Sequence, residues 1–100
     1  MRRGTTPTHT FTLPFDTGLI KSVKVVYSQG GSIVLEKKTA DCTLNGNTIT
    51  YRLTQEESLS FNDKKKVDIQ VRVLLQDDTA MASDIKSVYV SECLDDEVLT

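Results

Sequence analysis

The chain has no tryptophan, one histidine, two cysteines and two prolines, and its formal charge is nearly balanced at -2. Each scarcity removes something. Without tryptophan, the cysteine–tryptophan–cysteine trio of antibody domains cannot form. His9 is the only imidazole available as a general base. It alternates with threonines, as a partly buried strand residue does, so a nucleophile–base–acid triad is not expected. His9, Cys42 and Cys93 also fall short of the roughly four well-spaced ligands of a zinc site. The balanced charge lacks the basic face that neutralises phosphates, so nucleic acid is not an expected partner. No apolar run approaches the ~20 residues that span a bilayer, so no membrane partner is expected either. Gly4 to Thr10 is too polar for the apolar core of a secretory signal. A protein made and folded in a cytoplasm is expected, with both cysteines reduced. Cys42 alternates with Leu44 and reads as a small core residue; Cys93 reads as partly exposed.

What the chain does have is alternation. Val67, Ile69, Val71, Val73 and Leu75 lie on one side of an extended segment, and Asp68, Gln70 and Arg72 on the other. That is a half-buried β-strand. Thr8 to Leu13 predicts the first strand, ended by Pro14 and a turn at Asp16-Thr17-Gly18. Lys21 to Gln29 and Ser32 to Lys38 predict a hairpin through Gly30-Gly31, with Ile33 and Leu35 inward. Asp41 to Leu44 and Asn47 to Leu53 predict another through Asn45-Gly46. The final strand, about Thr79 to Ser91, follows Asp77-Asp78. Its apolar phase slips between Met81/Ile85 and Val88/Val90, which predicts a β-bulge near Lys86-Ser87. One segment departs from period two. Thr54-Gln55-Glu56-Glu57 fits a capping box and predicts a helical turn near residues 55–60, with Leu59 and Phe61 plugging the core.

About seven strands in 100 residues predict one domain, an all-β, immunoglobulin-like antiparallel β-sandwich; a small antiparallel barrel is the alternative. Residues 1–6 and 95–100 are expected to be flexible. Lys64-Lys65-Lys66 reads as a solvated turn. Glu56-Glu57 favours the helix dipole rather than acid–base chemistry. Asp77, Asp78 and Asp84 could offer oxygens to calcium but read as a solvated acidic turn. Gly30-Gly31 lacks the Lys-Ser/Thr and helix of a phosphate loop. No catalytic residue, metal ligand or cofactor is assigned, and an enzyme is not expected.

Several segments carry a resemblance. Met1-Arg2-Arg3-Gly4-Thr5-Thr6-Pro7-Thr8, Tyr27-Ser28-Gln29-Gly30-Gly31, Leu53 to Phe61 and Val67 to Val73 occur in this order. Together they resemble small prophage-encoded structural proteins of Gram-positive gut bacteria. The layout is also similar to the N-terminal β-sandwich of siphophage upper baseplate proteins. The resemblance implies a non-enzymatic tail, baseplate or neck component in a virion, made in the host cytoplasm. Its expected partners are other phage structural proteins, or further copies of itself. Docking would use strand edges or polar termini, with Met1 to Thr8 as the candidate arm. A module recognising host surface carbohydrate is the alternative, favoured by any exposed aromatic pair.

Overall fold

A computed structural model describes residues 1–100, and in it the alternation becomes two facing antiparallel sheets. The strands are β1 (Thr8–Thr12), β2 (Ile20–Gln29), β3 (Ser32–Lys38), β4 (Thr43–Asn45), β5 (Thr48–Arg52), β6 (Lys66–Leu75), β7 (Ala80–Ala82) and β8 (Lys86–Tyr89). One sheet has the order β1-β5-β4. The other runs β3-β2-β6, with β7 and β8 both on the far edge of β6. Counting β7 and β8 as one broken strand gives seven. Strands 1, 5 and 4 then share one sheet and strands 3, 6 and 7 the other, as in an immunoglobulin constant domain. Here β2 joins the second sheet, between β3 and β6, so β1 pairs directly with β5.

The core lies between the sheets. Val23, Val25 and Tyr27 of β2, Ile49 and Tyr51 of β5, and Val67, Ile69, Val71 and Val73 of β6 are all buried. All nine are odd-numbered, as period two requires; only at the start of β2, where the register shifts, does even-numbered Ile20 turn inward instead of Lys21. Helix α1 (Gln55–Leu59) carries the chain between the sheets. Its capping box forms as expected: the Glu57 amide donates to Thr54 Oγ1 at 3.1 Å, and the Thr54 amide donates to Glu57 Oε1 at 2.9 Å. Phe61 plugs the core at 1% exposure, whereas Leu59 is only half-buried.

Three local expectations are corrected. The phase slip before β8 is real, but the bulge precedes Lys86. Ser83 to Ile85, three residues, separate Ala82 from Lys86, while two, Gln70 and Val71, separate their partners Arg72 and Ile69. Ser83 is the cause. Its amide donates to the Val71 carbonyl at 2.8 Å, and its hydroxyl accepts the Val71 amide at 3.0 Å. A side chain thus replaces a ladder carbonyl, and the strand kinks. Ile33, expected inward, is 61% exposed, because a bulge at Val34 pairs Ile33 with Ser28 on the outer face. The second hairpin turns on Gly46-Asn47 rather than Asn45-Gly46. Asn45 pairs with Thr48, and Gly46 alone takes a positive φ, +57°.

The two ends of the chain meet. Composition predicts loose residues 1–6; in the structure Arg2 bridges Ser91 in parallel, and the Ser91 amide donates to the Met1 carbonyl at 2.7 Å. In the tail, Leu99 exchanges two hydrogen bonds with the Gln55 amide side chain, at 2.8 and 3.0 Å. No helix is long and apolar enough to cross a membrane.

Candidate functional site

Titratable chemistry gathers at one place inside the sandwich. His9 Nδ1, the Tyr27 hydroxyl and the Tyr51 hydroxyl form a continuous hydrogen-bonded chain across β1, β2 and β5. The Tyr27 and His9 rings stack at 5.8 Å between centroids, and Tyr51 stands edge-on to both. Every group is satisfied when Tyr51 donates to Tyr27 and Tyr27 donates to a neutral His9 with its proton on Nε2. A proton on His9 Nδ1 would reverse the chain and leave the Tyr51 hydroxyl without an acceptor. Burial pushes His9 below its ordinary pKa of 6.5, helped by the positive N-terminus and Lys86. Burial likewise drives Tyr27 and Tyr51 far above the ordinary phenol range. Phenols held neutral this firmly do not act as bases near neutral pH. The chain holds no carboxylate and no nucleophile, so its physical role is to satisfy polar groups within the core. Sequence reasoning placed His9 correctly on a strand face but missed the chain. Its three members lie on different strands, and no local pattern links them.

The remaining sequence candidates are dispersed. Lys64, Lys65 and Lys66 are exposed, as a solvated turn requires. Asp77 accepts the Thr79 amide at 3.0 Å, Asp78 pairs with Lys21 at 3.4 Å, and Asp84 stands in the bulge. Three or more His, Cys, Asp or Glu side chains are nowhere gathered as a metal site. Cys42, expected in the core, is half-buried at its margin, and Cys93, expected partly exposed, is half-buried too. Among aromatic residues Tyr89 stands exposed alone, so the exposed pair that would favour a carbohydrate module is not formed.

The expected arm is engaged within the molecule. Pro7 accepts the Leu53 amide at 2.9 Å, Thr5 accepts the hydroxyl of fully buried Ser58 at 2.7 Å, and Arg3 donates to the Leu59 carbonyl at 2.9 Å. The free backbone lies one step further on, at β1. Leu53 bonds to Pro7 and Leu13 bonds to Asn47 across the β1–β5 ladder. Hydrogen-bonded pairs alternate along an antiparallel ladder, so the amides and carbonyls of His9 and Phe11 also face β5. Those of Thr8, Thr10 and Thr12 therefore point away from the sheet, and all three residues are exposed. Alongside runs a crevice of about 400 Å³ between the sheets, lined by His9, Phe11, Ile69, Lys86 and Val88. A smaller one of about 230 Å³ continues it past Leu13 and Phe15 to Met81.

The other edges are guarded. β3 carries Glu36, Lys37 and Lys38, β4 has three residues, and β7–β8 is broken by its bulge. Beyond β8, the Met1 ammonium takes the Tyr89 carbonyl at 2.9 Å. Charge, shortness, bulges and coverage are the usual defences of a sheet edge, and β1 has only its modest length. A larger depression of about 460 Å³, beside Thr6, Arg52 and the start of α1, is bordered by Val98 of the chain's own tail.

No known protein-family model matches the chain, and a search of curated proteins finds no match either.

Proposed function

We propose that the chain is a non-enzymatic structural component of a phage particle, in the tail, baseplate or neck, and that it works by docking to other proteins. The observation that carries the docking is the edge of β1. It is five residues long, uncharged and free on one side, with a crevice of mixed lining beside it in which Phe11, Ile69 and Val88 supply the apolar part. An open edge offers backbone groups to an extended partner, and the crevice offers room for that partner's inward side chains. The buried His9–Tyr27–Tyr51 chain supports a non-catalytic reading, because its groups are neutral and already paired. The phage assignment rests on the resemblance of Met1–Thr8, Tyr27–Gly31, Leu53–Phe61 and Val67–Val73 to prophage-encoded structural proteins.

The test is mass spectrometry of purified particles from an induced host strain. The chain is expected among the virion proteins at a stoichiometry comparable with tail components. Its absence from intact particles, with the chain present in the lysate, overturns the virion assignment.

A further inference from the structure

We infer that the open edge of β1 pairs with the same edge of a second copy, joining two three-stranded sheets into one six-stranded sheet across a two-fold axis at Thr10. The inference rests on the docking reading and names its partner. The first argument is register. The outward backbone groups belong to Thr8, Thr10 and Thr12, which are symmetric about Thr10. An antiparallel copy therefore places Thr8 opposite Thr12, Thr10 opposite itself and Thr12 opposite Thr8. All three are hydrogen-bonded pairs in which both backbone bonds form.

The side chains also match. On the outer face, threonine meets threonine at each of these pairs, a favourable cross-strand combination. On the inner face, His9 of one copy lies beside Phe11 of the other. That Phe11 faces the crevice beneath the edge, over Lys86 and Val88. No like charges meet across the paired strands themselves, because β1 holds no charged residue; the nearest cation, Lys86, lies below the edge in the crevice. A self-complementary patch of this kind closes into a dimer and does not propagate into a filament.

Residue 10 faces its own copy, and this gives a specific test. Thr10→Lys and Thr10→Glu change an exposed side chain and leave the β1–β5 ladder intact, which thermal melts of each variant check. Sedimentation equilibrium of the wild-type chain is expected to show a dimer. Each variant alone places like charges opposite each other, and its dimerisation should weaken at least tenfold at low salt. An equimolar mixture of the two should recover the dimer as a hetero-pair. Thr8→Glu with Thr12→Lys in one chain gives an independent reading, because opposite charges then meet at both ends and the dimer should tighten. A wild-type chain that stays monomeric through the millimolar range overturns the inference. So does a dimer indifferent to residue 10, or a mixture that fails to reassociate. If the chain is monomeric yet binds another virion protein through Thr8–Thr12, self-pairing fails and docking stands. If neither occurs, both fail.

Discussion

Gln29 grips the backbone of Asn62 with both ends of its amide. Its Nε2 donates to the Asn62 carbonyl at 2.9 Å, and its Oε1 accepts the Asn62 amide at 2.8 Å. The side chain is 8% exposed, so it acts as one further rung of ladder at the end of the sandwich, just below the Gly30-Gly31 turn. Gln29→Ala leaves two backbone groups to find other partners and should cost about 1–3 kcal/mol. Gln29→Glu keeps an acceptor for the Asn62 amide but turns a carboxylate toward its carbonyl, and should cost as much. Urea denaturation of the three proteins checks this. A Gln29→Glu variant as stable as wild type would contradict the two-point grip.

Lys37 and Glu57 meet at 2.7 Å with side chains only 10% and 24% exposed. Burial alone would raise the Glu57 pKa. The hydrogen bond from Lys37, the Thr54 cap and the Lys37 charge together hold it below the ordinary 4.5. Glu57→Gln leaves a largely buried ammonium unpaired. At this rim position, partly screened by solvent, it should cost about 1–2 kcal/mol. Removing Glu36 from its more exposed pair with Lys24 should cost under about 0.5 kcal/mol. Because the folded pKa is depressed, the Glu57 contribution is complete above pH 4.5 and is lost as pH falls through the folded value. Paired denaturation curves for Glu57→Gln and Glu36→Gln, at neutral and acid pH, test both statements.

His9 gives a second pH window of the same direction. Its folded pKa lies below 6.5, so on acidification the unfolded chain takes up a proton first. Stability should be full above that value, fall as pH drops through it, and level off below the folded pKa. His9→Gln removes the titration and should flatten stability between about pH 7 and 5. Equal slopes for variant and wild type would show that the imidazole contributes nothing.

Deleting residues 1–7 should lower the melting temperature. The deletion removes the acceptor of the Leu53 amide and the Arg3 bond to Leu59, and leaves fully buried Ser58 with only its longer 3.2 Å bond to the Gln55 carbonyl. One orphaned amide at about 1–3 kcal/mol, with a weakened Ser58 and a lost Arg3 bond beside it, is a large part of a small domain's stability. An unchanged thermal melt would return the segment to the role of a free arm.

Strands were legible because period two is written locally. Odd-numbered apolar residues from Val67 to Val73 identify their own buried face without knowledge of any neighbour. The capping box was legible for the same reason, since Thr54 and Glu57 lie three residues apart. The bulge at Ser83–Ile85 was half legible. The slipped phase announced it, but its position depends on a hydroxyl reaching Val71 on another strand. Gln29, Lys37 and Ser58 look like surface residues in sequence, and their burial depends on Asn62, Glu57 and Thr5. The β1 edge was least legible. Thr8–Thr12 reads as a strand, but its freedom on one side depends on β2 having joined the other sheet.

The placement of β2 beside β6 also bears on how quickly the protein can form. Ile20 pairs with Leu75, and Tyr27 with Ile69. The two longest strands therefore meet only after the chain between them has closed a loop of about forty to fifty-five residues. The β2–β3 and β4–β5 hairpins can form early, each around its own glycine turn. They gain a buried face only when β6 arrives, so folding should be slow, on the order of milliseconds to seconds, with the β2–β6 pairing as its limiting event.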